Sequence, residues 1–110
     1  MPYSPPVTYS WIGAINAAQS KLMRKCKNIA VPILVMHSSR KISGCNWDPS
    51  FQWADCVLDP DMLQERGQKL SNSTVCTIDS GIHDLILSEP GPRQQAYSTI
   101  FAFLRKHQTR

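Results

Sequence analysis

Residues 74 to 88 read Thr74-Val75-Cys76-Thr77-Ile78-Asp79-Ser80-Gly81-Ile82-His83-Asp84-Leu85-Ile86-Leu87-Ser88. The first six, Thr74 to Asp79, are rich in β-branched residues and predict a strand. Ser80 and Gly81 then turn the chain and present one histidine. Histidine is the side chain whose ordinary pKa lies nearest neutrality, and strand ends are where α/β proteins place their sites. The stretch therefore predicts a parallel-sheet architecture with a proton-carrying group, His83, at the strand's C-terminal end.

Working outward, Pro90 and Pro92 open a final helix whose stripe is Tyr97, Ile100, Phe101 and Leu104. Upstream, Asp59 and Pro60 form a helix start, with proline at the first helical position, and that helix is expected to run to about Leu70. Ile29 to Met36 is a continuous apolar run interrupted only by Pro32, the pattern of a strand covered on both faces. Ser10 is placed to cap a helix starting at Trp11, with Trp11, Ile15, Ala18 and Leu22 at helical spacing and Asn28 as its stop. Between strand and helix lies an irregular segment from about His37 to Leu58, containing Gly44, Pro49, Trp47 and Trp53. The tryptophans are expected to fill gaps beneath this loop, with an acyl pocket as the sharper alternative. The order helix, strand, loop, helix, strand, loop, helix predicts an α/β fold with a small parallel sheet and flanking helices. The division expected is an extended tail over 1–9, a helix over 10–28, and a strand–helix–strand–helix core over 29–110, all one domain.

Two loops thus leave the same edge of the sheet. One carries Asp55 and the other His83, so an Asp55–His83 dyad is allowed, the aspartate holding the imidazole in one tautomer. Asp48 and Asp59 are weaker candidates for the same role. Asp84 is expected to close the turn or cap nearby amides.

Composition narrows the rest. An apolar content of 42% argues against disorder, and no apolar run reaches the roughly 18 residues of a membrane span. Met1 to Tyr9 has neither a basic start nor an apolar core, so it does not read as an export signal, and the cytoplasm is the expected compartment. Cys26, Cys45, Cys56 and Cys76 form no C-x-x-C pair and no zinc-ligand spacing, so free thiols and no metal or cofactor are expected, with Cys76 as core packing. Of the 12 cations behind the net charge of +4, one group is Lys21, Arg24, Lys25 and Lys27 and a second is Arg105, Lys106 and Arg110. Both groups sit at helix C-termini, where cations oppose the dipole, and neither interleaves with aromatics as a nucleic-acid surface would.

Three segments together resemble a known family. Ile29-Ala30-Val31-Pro32-Ile33-Leu34-Val35-Met36-His37-Ser38, then Asp55-Cys56-Val57-Leu58-Asp59, then Gly81-Ile82-His83-Asp84-Leu85-Ile86-Leu87-Ser88 are similar to the C-terminal part of an α/β-hydrolase of the serine aminopeptidase/lysophospholipase (monoacylglycerol lipase-like) group, over roughly Trp11 to His107. The resemblance implies a Ser–Asp–His triad in that chain order, with His83 as base and Asp55 as orienting acid. The chain departs from the family in two ways. The family's acid commonly follows the strand closely, where this chain has Ser39, Arg40 and Lys41. The nucleophile elbow needs glycines four residues apart around a serine, and Gly13, Gly44, Gly67, Gly81 and Gly91 include no such pair. The expectation is a hydrolase-like segment without its nucleophile, not hydrolytic alone. The alternatives are half of a split carboxylic-ester hydrolase completed by a second polypeptide, or a small oligomeric binding protein. A short sheet with open edges also predicts a homo-oligomer, joined along a strand edge or through the N-terminal helix.

Overall fold

A computed structural model describes residues 5–44 and 46–108 of the chain. Cys45, Arg110 and the first four residues of the expected tail lie outside them. The elements are α1 (Tyr9–Lys25), β1 (Ile33–Ser38), α2 (Pro60–Lys69), β2 (Ser73–Ile78) and α3 (Pro90–Lys106), with short 3-10 turns at Cys26–Asn28, Pro49–Trp53 and Leu85–Leu87.

The fold is mixed α/β, and β1 and β2 form a two-stranded parallel sheet in register from Ile33–Ser73 to Ser38–Ile78. Alternate side chains leave opposite faces, and a helix covers each. Val35 and Val75 face α2 at Gly67, where an added Cβ would lie 3.2 Å and 3.1 Å from their methyls. Leu34, Thr74 and Cys76 face α3 beside Ala102 and Phe103. The buried cluster is Ile78, Leu85 and Ala96, with Met36 and Ile86 against it. It therefore sits under the C-terminal ends of the strands, directly below the His83 turn.

Several boundaries move from their expected places. β1 begins at Ile33, not Ile29. Ile29 is tied elsewhere: its N–H donates to Ser71 Oγ (3.0 Å), and its carbonyl accepts from Ser71 Oγ (2.6 Å) and Asn72 Nδ2 (2.8 Å). Pro32 has no N–H to give a ladder. β1 continues through His37 and Ser38, shortening the irregular loop. Although a helix lies on each of its faces, Ile33 to Met36 are only half-buried, and burial is complete only at His37 and Ser38. Ile33 N–H donates to Asn72 O (2.9 Å), so the backbone groups of Leu34 and Met36 point to the far edge. No strand pairs with that edge among the described residues.

Thr8, not Ser10, caps α1, its Oγ1 accepting from Trp11 N–H (3.2 Å). The helix ends at Lys25, and a 3-10 turn carries the chain to Asn28. No residue of α1 is buried. Its apolar stripe is present, but none of the described residues buries it. Asp59 caps α2 through Asp61 N–H (2.9 Å), as the Asp-Pro start predicts. Trp47 and Trp53 are both exposed, Trp47 at 71%, and neither is buried beneath the loop; Asp48 and Pro49 instead start a five-residue 3-10 helix that holds it. Cys26 is buried, Cys56 exposed and Cys76 half-buried, all as thiols. Cys76 thus packs against α3 at the margin of the core and not inside it. No helix among the described residues is long and apolar enough to cross a membrane.

Candidate functional site

Asp55 reaches its place by backbone pairing. Its N–H donates to Arg40 O (2.8 Å) and its carbonyl accepts from Ile42 N–H (2.9 Å). This single parallel bridge, Lys41 to Asp55, draws the end of the long loop back beside the segment leaving β1. The residue is 2% exposed. Its Oδ1 accepts from Val57 N–H (2.7 Å) and Leu58 N–H (2.9 Å), and its Oδ2 accepts from His83 Nδ1 (3.0 Å). Burial, the largest single influence on the carboxyl, pushes its pKa up. The donors from Leu58, His83 and Val57 together outweigh burial and hold it below the usual carboxylate range.

An ionised carboxylate only accepts, so Nδ1 of a neutral His83 carries the proton and Nε2 holds the lone pair. The side chain is 43% exposed, and Nε2 makes no hydrogen bond among the described residues. The pair is thus a sequestered acid behind an accessible base.

The turn bearing His83 is held on both sides. Ser38 Oγ donates to Gly81 O (2.6 Å) from the end of β1, and Ile82 N–H donates to the buried Ser88 Oγ (2.9 Å). Ser80 takes a left-handed conformation (φ 59°) to let the chain reverse, and its N–H donates to Ser39 Oγ (3.1 Å). Ser39 Oγ in turn donates to Asp79 Oδ1 (3.0 Å). The sequence by itself assigns no role to Ser38 or Ser88. Their only local signal is a small hydroxyl at a strand's last position and another five residues beyond the histidine.

The other acidic candidates are occupied elsewhere. Asp48 Oδ1 accepts from Ser50 N–H (2.9 Å) and from the Ser50 hydroxyl. Asp59 accepts from Asp61 N–H and from Lys41 Nζ (2.8 Å). Lys41 lowers the Asp59 pKa and is itself raised by Asp59. Asp84 closes its turn through its backbone carbonyl, which accepts from Leu87 N–H (2.9 Å); its side chain caps nothing. Buried His37 is a tie between elements. Its Nδ1 donates to Ser38 O (2.7 Å), and Nε2 lies 2.6 Å from the side-chain amide of Gln64 on α2. Beside the dyad, Ile42, Ser43 and Val57 join Asp55 in lining an open cleft of about 360 Å³.

Comparison with known families, with characterised proteins and with solved structures finds no match for this chain.

Proposed function

We propose that this chain is the acid–base portion of an α/β-hydrolase-type serine hydrolase, akin to the serine aminopeptidase/lysophospholipase group. In this reading His83 is the general base and Asp55 the acid that orients it. The observation that carries the reading is the Asp55 Oδ2–His83 Nδ1 hydrogen bond, with Nε2 left open to solvent. An imidazole so held takes a proton from a hydroxyl or thiol brought to Nε2, and the buried carboxylate stabilises the resulting imidazolium. The chain contains no Gly-x-Ser-x-Gly elbow to supply that hydroxyl. Base, nucleophile and oxyanion donors act as a unit, so the chain alone is not an efficient hydrolase. It works, in this reading, as a self-associating protein, the contact running along a strand edge or through α1.

The test is hydrolysis of short p-nitrophenyl esters, alongside a nitrogen-15 spectrum of His83. The expected result is turnover no faster than free imidazole at equal concentration, with the proton on Nδ1. Robust turnover abolished by His83→Ala would show a complete enzyme and overturn the inactive-alone reading. A His83 protonated on Nε2 in its neutral form would remove the general base. Turnover that appears only with a second, serine-bearing polypeptide would identify the chain as half of a split esterase.

A further inference from the structure

We infer that two copies of this chain dock through α1 in an antiparallel, two-fold pair, each copy's Trp11–Ile15 half lying over the α1–α2 groove of the other. The inference rests on the self-association just proposed and not on the chemistry of His83.

The chain exposes more surface than a monomer of its mass. A 12.4 kDa chain that folds alone exposes about 6,100 Å². This chain exposes 8472 Å², a surplus of about 2,300 Å². Its radius of gyration is 16.0 Å against about 13 Å for a compact domain of this length. The exposed tail from Pro5 to Thr8 accounts for part of the surplus. A standard stable interface takes roughly 800 Å² per partner, about a third of that whole surplus.

Much of the exposed apolar surface lies on α1. Trp11, Ile12, Ile15 and Leu22 of α1 are all exposed. Between α1 and α2 runs a cleft of about 220 Å³ with Leu22, Met23, Val35, Leu63 and Leu70 in its lining. Helix stripe and groove form one continuous surface, because Leu22 belongs to both.

The pattern along α1 fits a second copy as the occupant. The stripe positions 11, 15, 18 and 22 are symmetric about the helix middle. Antiparallel pairing therefore sets Trp11 against Leu22 of the second copy and Ile15 against its Ala18, and the reverse contacts repeat them. Charge agrees with this register. Tyr9 to Ser20 contains no charged residue, and the cations of α1 are Lys21, Arg24 and Lys25 at one end. Antiparallel pairing puts the two basic clusters about 20 Å apart along the axis, about two and a half Debye lengths at physiological salt. Parallel pairing would set them side by side. Ala18 within the stripe and Ala14 at its margin let the two backbones approach closely.

Sedimentation equilibrium at micromolar concentrations tests the inference. It is paired with a photo-crosslinker placed at Ile15 in a mixture of nitrogen-15-labelled and unlabelled chains. The expected result is a species of twice 12.4 kDa and crosslinks joining labelled to unlabelled chains at α1 or α2. The double variant Ile15→Glu with Leu22→Glu should weaken association by about thirtyfold or more. Both positions are exposed in the single chain, so its helix content by circular dichroism should be retained. A monomer throughout would overturn both the surface and the self-association. A dimer unaffected by the double variant, with crosslinks along β1 or α3, would overturn this surface and leave self-association standing. Trimers or larger species would overturn the two-fold arrangement.

Discussion

Asp48, Asp55 and Asp59 each accept a hydrogen bond from the amide two residues on, at 2.7 to 2.9 Å. That shared local habit is why spacing alone does not choose among them as the histidine's partner. The difference lies in the other contacts of each carboxylate. Asp48 also takes the Ser50 hydroxyl, Asp59 takes Lys41, and Asp55 reaches 28 residues along the chain to His83. Asp55→Asn should therefore keep the backbone bridge and the Val57 and Leu58 bonds through its amide oxygen. Its NH₂ then faces Nδ1 and turns that nitrogen into an acceptor, moving the imidazole proton to Nε2. Nitrogen-15 shifts of His83 read this directly; a ring still protonated on Nδ1 would show that Asp55 does not set the tautomer. Asp55 also links stability to pH. Its folded pKa lies below its unfolded value, so the unfolded chain binds the proton first as pH falls. The stabilisation it contributes is complete above the ordinary carboxylate pKa of about 3.9, and it is lost as pH drops through the lower folded value. Urea midpoints should fall across that acid window, and fall less steeply in Asp55→Asn; equal slopes would contradict the shift.

At the scale of elements, the turn after β2 depends on tight contact beneath it. A Cβ on Gly81 would lie 2.6 Å from Leu85 Cδ2 and 3.4 Å from both Ile78 Cγ2 and the Ile78 carbonyl oxygen. Leu85 and Ile78 are core residues, so neither can swing aside freely. Gly81→Ala should cost about 1–3 kcal/mol by overpacking and displace the His83 resonances; an unchanged melting temperature would mean that Leu85 rearranges at no cost. Much of this layer was legible in the sequence because the signals are local. Asp59-Pro60 starts α2, Pro90 starts α3, and β-branched residues mark β2. What was misread depends on distant partners. Ile29 to Pro32 looks like strand, and its fate is decided by Ser71 and Asn72, 42 and 43 residues away. The stripe of α1 correctly signals a helix with an apolar face, yet periodicity states only that a face favours burial and not what will bury it. Likewise an apolar run says nothing about how many neighbouring strands exist to cover it, so β1 was expected to be buried where it is half-open.

For the molecule as a whole, the balance between core and surface governs behaviour. The described residues bury few apolar side chains completely, the largest being Ile78. Small cores leave little net stability once chain entropy is counted. The α1 pair would add apolar burial that a single chain lacks, so folding and association become one equilibrium. Thermal unfolding should then depend on concentration. A hundredfold rise in protein is worth about 2.7 kcal/mol per dimer, which spread over the unfolding entropy of two chains of this length raises the melting temperature by about 6 °C. The Ile15→Glu/Leu22→Glu chain, pairing about thirtyfold or more weakly, should melt lower than the wild type at each concentration. Circular dichroism melts of both chains at the two ends of that range decide it. If the wild-type melting temperature does not move with concentration, the dimer contributes nothing to stability, and the surplus surface must be tolerated by a monomer whose compact part holds without help.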